Sequence, residues 1–318
     1  LGLNHISFAK KLERILSEGH YCILHSHVQA YSGFPVWVAR SLRIPVISSF
    51  HNTHFPPQTR LTRRPIVRQL RSVYATIGIN YALHYSDLVT GCSQGVLRSL
   101  DPDGGKISVP SCVLYYGVDV PQPATSEERA ALRRSFGWSA DTPLILHVGR
   151  FTEQKNHLGL LSIFQRVLAH VPTVRMLLVG EGLLRSSIEN TIAERGLANK
   201  IRLLGLRDDV PSLMSMCDVF VFPSLHEGFG LVTIEANAAS LPVVGSKVPG
   251  LIEAVRDGET ALLHDVVDIE GMVMSVVRIL ADQQYAQRLG DAGRTRAKRS
   301  FSLETSARRL LEVYEGFA

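Results

Sequence analysis

No stretch of this 318-residue chain stays apolar for the ~18 residues that a membrane span needs, and its first residues lack the pattern of a signal peptide. Cysteine is scarce. Cys22, Cys92, Cys112 and Cys217 stand far apart, without the paired spacing of a metal site. Three of them lie in or beside apolar, strand-like runs, which reads as reduced, buried thiols of a cytosolic protein. Internal repeats and low-complexity tracts are missing too. A dinucleotide fingerprint is incomplete: V-G-E-G-L-L-R holds Gly180 and Gly182 but not the third glycine, so a nicotinamide enzyme is disfavoured. Methionine does not stand first, and the chain opens inside a helical pattern, so a piece of a longer protein is expected.

What is present is apolar material in short, regular doses. Hydrophobic residues make up 45% of the chain, enough for two ordinary cores. Ile6, Ala9, Leu12, Ile15 and Leu16 share one face of a first helix, with Gly19 as its stop. Strand-length runs follow at C-I-L-H-S, P-V-I-S-S-F, D-L-V-T-G-C and S-C-V-L-Y-Y. After a linker-like P-Q-P-A-T-S comes a second series: P-L-I-L-H-V-G, V-R-M-L-L-V-G, K-I-R-L-L-G, D-V-F-V-F, L-P-V-V-G and A-L-L-H. Near-continuous apolar strands separated by helical segments predict parallel sheets covered on both faces. The expected fold is therefore α/β, two doubly wound Rossmann-like domains facing across a cleft, with ligand at the carboxyl ends of the strands. The expected bounds are 1–123, 124–301 and a C-terminal helix over 302–318 that crosses back to the first domain. Leu303, Ala307, Leu310, Leu311 and Tyr314 line one side of that helix, with Ser302 as N-cap.

Charge is uneven. Residues 1–120 hold 12 Lys/Arg against 6 Asp/Glu, and the remainder 22 against 23. The excess concentrates in Q-T-R-L-T-R-R-P-I-V-R-Q-L-R, where Arg60, Arg64, Arg68 and Arg71 can share a helical face although Pro65 stands among them. Two readings stay open: a solvated basic helix, or attraction to an anionic membrane surface or phosphate-bearing lipid acceptor. Nucleic acid is disfavoured, because no stacking aromatics accompany the run.

The chemistry concentrates in H-E-G-F-G-L-V-T-I-E. Glu227 and Glu235 stand eight positions apart around a flexible G-F-G, with a strand before and a helix-forming run behind. Loop amides and a helix N-terminus favour phosphate, and carboxylates accept hydrogen bonds from sugar and ribose hydroxyls. At the end of the second series' first strand, G-R-F-T-E-Q-K sets Arg150 and Lys155 where a diphosphate can be neutralised. Paired carboxylates also invite a glycoside hydrolase reading, but a hydrolase needs no diphosphate clamp.

Together these pieces resemble the retaining glycosyltransferases of family 4, which have the GT-B fold. Four motifs occur in family order: H-V-G-R-F-T-E-Q-K, L-L-V-G-E-G, L-L-G-L-R-D-D-V and D-V-F-V-F-P-S-L-H-E-G-F-G-L-V-T-I-E-A, the last with the family's paired glutamates. The resemblance implies that Glu235 holds the nucleotide ribose and that Glu227 lies beside the transferred sugar. It implies that the Gly228, Phe229, Gly230 and Leu231 backbone covers sugar and phosphate, near Gly149 and Gly180. Arg150 and Lys155 steady the leaving diphosphate, Arg207 passes the nucleobase, and His51 faces the sugar. His25, His27 and His54 are weaker candidates; H-S-H lacks a third metal ligand.

The implied enzyme is a cytoplasmic hexosyltransferase without metal or cofactor. It moves sugar from a UDP-sugar to a saccharide or lipid-linked acceptor in cell-surface polysaccharide synthesis, in peripheral contact with the inner membrane face. The alternatives are a nucleotide-sugar epimerase or phosphorylase on the same fold, or a non-catalytic nucleotide-binding remnant. Nothing in the sequence matches the family's opening strand and glycine-rich turn. The first domain is therefore expected to be incomplete, with C-I-L-H-S at an unprotected edge and the chain poorly soluble or inactive alone. Tyr116 stands where the family has asparagine, and Ser240 where it has glycine.

Overall fold

The computed structural model describes residues 2–28, 31–52 and 65–317. Arg60, Arg64 and His54 lie outside the described residues. The chain divides into two compact units, residues 1–115 with 306–318 and residues 116–305.

The first unit runs α1 (Gly2–Glu18), β1 (Leu24–Ser26), α2 (Gly33–Ser41), β2 (Val46–Phe50), α3 (Pro65–Tyr85), β3 (Leu88–Gly91), α4 (Gln94–Leu100) and β4 (Ser111–Val113). The strands form one parallel sheet in the order β1-β2-β3-β4. Every residue of β2 is buried, as its unbroken V-I-S-S-F run requires in a central strand. Ser49 and Thr90 satisfy each other's hydroxyls across neighbouring strands at 2.5 Å. Among the described residues β1 pairs with β2 alone, so it stands at an edge.

Helix α1 forms where the 3.6-residue period places it, but its apolar face is only half used. Ala9 and Leu16 bury against Val38 of α2, whereas Ile6 and Ile15 are exposed. Periodicity tells which residues share a face, not whether a neighbour exists to cover all of it.

The second unit begins with α5 (Ser126–Ser135), capped by Thr125 in a reciprocal bond pair with Glu128. It continues β5 (Leu144–Val148), α6 (His157–His170), β6 (Arg175–Val179), α7 (Arg185–Glu194), β7 (Ile201–Gly205), α8 (Val210–Met216), β8 (Val219–Phe222), α9 (Leu231–Ala238), β9 (Val243–Ser246), α10 (Pro249–Ala254), β10 (Ala261–His264), α11 (Ile269–Ala281) and α12 (Gln283–Phe301). All ten strand runs expected from the sequence are strands. The six of this unit form a parallel sheet in the order β10-β9-β8-β5-β6-β7. The sheet grows outward from β5 in both directions, so the chain reverses its winding between β5 and β8. That reversal opens a crevice beyond the carboxyl ends of those two strands.

The core of this unit packs α6 and α11 onto the sheet through Leu161, Phe164, Val221 and Met272, all without exposure or nearly so. At the opposite end of β8, Asp218 receives Arg129 and the buried Arg133 at 2.6 and 2.7 Å, which pins α5 to the sheet. The last helix, α13 (Leu303–Glu315), is capped by Ser302, whose hydroxyl accepts from the Thr305 amide.

Candidate functional site

The loops that follow β5, β6, β7 and β8 carry most of the residues singled out from the sequence. After β5 the chain turns through Gly149 and Arg150 into a short 3-10 turn, Glu153–Lys155. Asn156, left-handed at φ 50°, ends that turn and caps α6 by accepting from the Gly159 amide. This segment is sewn to the loop after β8 by three bonds. Gln154 Nε2 donates to the His226 carbonyl at 2.9 Å, the Leu225 amide to the Gln154 carbonyl at 2.8 Å, and Asn156 Nδ2 to the Pro223 carbonyl at 3.1 Å.

That stitching brings together two residues 72 positions apart. Lys155 Nζ donates to Glu227 Oε1 at 2.6 Å, with the side chains only 14% and 7% exposed. The ammonium also lies 4.5 Å from the centre of the Phe222 ring. A buried ion pair survives desolvation only with good geometry and further support; here it sits at the winding reversal, where a ligand is expected. Arg150, by contrast, is exposed, and its side chain has no partner among the described residues. The same loop therefore presents one locked cation and one unengaged cation.

Under this loop lie two histidines that the sequence reading passed over. His147, in β5, is wholly buried and stacks on Phe220 and Phe222, its Nδ1 donating to the Val221 carbonyl at 2.9 Å. His157 meets it edge-on at 5.0 Å. Burial first, then the charge of His157, holds the His147 imidazole down to about 3; burial, with Lys155 as a lesser charge, holds His157 to about 4. Both are neutral at physiological pH, so the only cation of this cluster is Lys155.

The glycines of the site have separate reasons. Gly180, at φ 136°, follows β6, and any Cβ there would strike the Gly149 carbonyl oxygen. Its amide donates to Gly205 at 2.8 Å, as Gly149 donates to Val179 at 3.0 Å. Gly250, at the start of α10, was also missed. A Cβ there would stand 2.6 Å from the Glu227 carbonyl oxygen, so α10 abuts the backbone of the Glu227–Gly228 loop. The P-G pair that opens α10 was the available signal.

Gly228, Phe229, Gly230 and Leu231 carry the chain from Glu227 into α9. The Phe229 ring is buried beside Tyr116 and Phe301, at centroid distances of 6.2 and 5.6 Å. Tyr116 thus fills with an aromatic contact the place where the resembled family has asparagine. Glu235, one turn into α9, is half-buried, its carboxyl bonds no described residue, and burial raises its pKa. Arg207, beyond β7, is exposed and engaged by Asp209 through two bonds of 2.7 and 2.6 Å, which raise its pKa further.

His51 belongs to the first unit. It follows β2, and its Nε2 lies 3.0 Å from Nδ1 of His27, the rings stacked at 5.1 Å. Burial, then the His27 charge, brings His51 to about 4. His25 bonds Ser49 Oγ at 2.6 Å and the Tyr314 hydroxyl of α13 at 2.7 Å, and burial chiefly holds it to about 4 as well. Among the described residues no group of three side chains is placed to hold a metal ion, and no helix is long and apolar enough to cross a membrane.

Comparison with known proteins agrees with this layout. Residues 128–296 match the family described as glycosyl transferases group 1, and residues 1–122 match glycosyltransferase family 4. N-acetyl-alpha-D-glucosaminyl L-malate synthase of Bacillus anthracis is 23% identical over 320 residues, 98% of this chain and 77% of that protein. The lipopolysaccharide core biosynthesis glycosyltransferase LpsE of Rhizobium meliloti is 32% identical over 174 residues, 55% of this chain and 50% of LpsE. Among solved structures, Anabaena HepE in complex with UDP-glucose superposes with a TM-score of 0.83 at 22% identity, over 97% of this chain and 82% of HepE. Sucrose-phosphate synthase of Thermosynechococcus elongatus gives 0.80 at 26% identity, over 97% of this chain and 77% of that one. Both neighbours are GT-B glycosyltransferases, and their fold is the fold of this chain. With more than half of its length matched by the first of those families, the chain belongs to the glycosyl transferases group 1 and is a transferase enzyme.

Proposed function

We propose that this enzyme transfers a hexosyl group, with retention of anomeric configuration, from a UDP-sugar to a saccharide or lipid-linked saccharide in cell-surface polysaccharide synthesis. It would act in the cytoplasm, in peripheral contact with the inner face of the membrane. The observation that carries the reading is the buried Lys155–Glu227 pair at the winding reversal, with Arg150 unengaged on the same loop. The neighbouring HepE structures hold UDP and UDP-glucose, and LpsE is a glycosyltransferase of lipopolysaccharide core biosynthesis, which supports the donor and the product class.

In the proposed reaction the bond from the sugar's anomeric carbon to the β-phosphate oxygen breaks, and negative charge builds on the departing UDP. Arg150 and Lys155 meet that charge; being already in place, they stabilise it without reorganising. The acceptor hydroxyl attacks on the face that the diphosphate leaves. Its proton passes to the diphosphate, and a new glycosidic bond replaces the old one. Glu227 positions the sugar by accepting from its hydroxyls and is not the nucleophile. Glu235, half-buried with no described partner, is suited to accept from the ribose diol, and a ligand bond there would offset the cost of its burial. We assign Arg207 to the nucleobase end and His51 to the sugar, as a neutral imidazole. The diphosphate charge is assigned to the two cations, so turnover should be indifferent to a chelator.

The test is calorimetry against a panel of nucleotides and nucleotide sugars, followed by UDP release and sugar transfer for the bound donor. Arg150→Ala and Glu227→Gln should each lower turnover by about 10²-fold or more. Wild-type turnover in both variants would overturn the site assignment, and interconversion of UDP-sugars without UDP release would point to an epimerase instead.

A further inference from the structure

The two strands at the winding reversal part before they end. On its β6 side β5 is paired along its whole length, from Leu144 with Arg175 to Val148 with Val179. On its β8 side, pairing among the described residues covers only Ile145 with Val219 and Leu146 with Phe220. Strand β8 nevertheless continues on β9 as far as Phe222 with Gly245. Beyond Leu146 and Phe220, therefore, β5 and β8 run on without a backbone ladder between them. The loops bearing Lys155 and Glu227 spring from this opening.

One side chain spans it. Nδ1 of His147, a residue without exposure, lies 2.9 Å from the Val221 carbonyl oxygen. A carbonyl can only accept, so the proton sits on Nδ1. The imidazole supplies a cross-strand bond where the ladder makes none. From there it reaches the donor loop by two routes. Val221 precedes Phe222, whose ring centre lies 4.5 Å from the Lys155 ammonium. Nε2, buried without a hydrogen-bond partner among the described residues, faces Gly149. A Cβ on Gly149 would stand 3.2 Å from Nε2 and 3.3 Å from Lys155 Cγ, so the Gly149 backbone packs against both.

Packing alone does not ask for a histidine here. An apolar side chain of similar volume would fill the space and would bury no unpartnered ring nitrogen, which carries a desolvation cost. What the imidazole adds is a directional tie between two strands that have parted.

We infer that His147 is a positioning residue for the donor diphosphate: its Nδ1–H bond to Val221 fixes the spacing of β5 and β8 and so holds Lys155 where the β-phosphate arrives. Wholly buried, it acts only through its neighbours. The inference deepens the donor reading and rests on it, since it takes Lys155 as a ligand of the diphosphate.

Asparagine and glutamine separate the two nitrogens, because the asparagine amide nitrogen can stand where Nδ1 does and that of glutamine stands near Nε2. The full chain is titrated by calorimetry with UMP and with UDP, which differ by the β-phosphate assigned to Lys155. The wild-type chain should bind UDP more tightly. His147→Gln, closer to histidine in volume, should lower that preference about tenfold, the worth of one charge-assisted bond, while UMP affinity stays unchanged. His147→Asn, which leaves more empty space, should keep the preference within about threefold of wild type. His147→Leu, without a donor, should match His147→Gln and carries the test if the glutamine variant does not fold. Fit to the space predicts the opposite order. Retention of the UDP preference in His147→Gln or His147→Leu would overturn the inference, as would its loss in His147→Asn with UMP affinity intact. Weakening of UMP and UDP by one common factor would also overturn it, leaving His147 a packing residue. A wild-type chain that holds UDP no better than UMP sinks the donor reading itself, whereas a wild-type preference that survives His147→Gln sinks the positioning role alone.

Discussion

The six-stranded unit buries Phe151, Phe164, Phe220 and Phe222 completely, whereas the four-stranded unit leaves Trp37, Ile66, Leu70, Val73 and Ile77 in solvent. The two also differ in how they hold titratable groups. In the second unit Lys155 and Glu227 face each other out of water, over histidines kept neutral by burial. In the first, His25, His27 and His51 gather at the ends of β1 and β2 and repel one another when charged. A closed core can fix a charged pair to within hydrogen-bond distance before any ligand arrives. An open one leaves apolar surface in solvent.

The contrast within the donor loop gives the largest expected effect. Lys155→Ala leaves Glu227 buried and unpaired, so it should cost about 3–5 kcal/mol of stability and at least ~10²-fold in turnover. Arg150→Ala removes an exposed cation without a described partner, so turnover should fall by a similar factor while stability moves by less than ~0.5 kcal/mol. Denaturant titration beside kinetics reads both. If the two variants lose the same stability, the division into a locked and an unengaged cation is wrong.

Acid should act on both units, for different reasons. The folded-state values of about 4 for His25, His51 and His157 and about 3 for His147 lie below the ordinary 6.5. As pH falls the unfolded chain therefore takes up protons first. This stability is full above about pH 6.5 and is lost as pH falls through 6.5 toward 4. Thermal melts should show Tm dropping by more than ~5 °C across that window. In the first unit part of the depression is mutual repulsion, so His27→Gln should raise the His51 value partway, burial being the larger cause. In the second unit burial dominates for His147, and no single neighbour's removal should restore it. NMR titration of the two rings decides; an unmoved His51 would erase the distinction.

How far these differences were legible in the sequence depends on their range along the chain. The ten strands were readable because a buried parallel strand writes itself as a local apolar run, and Glu227, Arg150 and Lys155 because their loops follow such runs. The Lys155–Glu227 bond was not, since it joins segments 72 positions apart and depends on β8 lying beside β5. His147 and His157 escaped notice for the opposite reason: inside an apolar strand and at a helix start, they look like ordinary core residues. Ile6 and Ile15 show the reverse limit, because amphipathic spacing cannot report a missing neighbour.

Gly250 was missed because its constraint comes from another segment. Gly250→Ala should cost about 1–3 kcal/mol by pushing α10 off the Glu227 backbone. Its damage should reach the donor site as a higher Kd for UDP-sugar, measurable by calorimetry. Equal affinity in the variant would mean that α10 and the Glu227 loop move independently.

Ser240 offers the smallest and most one-sided test. The family places glycine there, and the sequence alone made the departure look inconsequential. In the structure Ser240 has φ 59°, the left-handed region that costs a residue with a Cβ about 1 kcal/mol, and Gly290 of α12 packs against its carbonyl. The serine is therefore strain stored at the junction of α9 and β9, in the better-packed unit. Ser240→Gly should stabilise the second unit by about 0.5–1 kcal/mol, since relief of the left-handed strain outweighs the extra freedom glycine gives the unfolded chain. Hydrogen exchange should slow in α9 and α12 and stay the same in α2 and α3, and turnover should not change. Faster exchange in α9 would mean that the serine makes a compensating interaction worth more than the strain it carries.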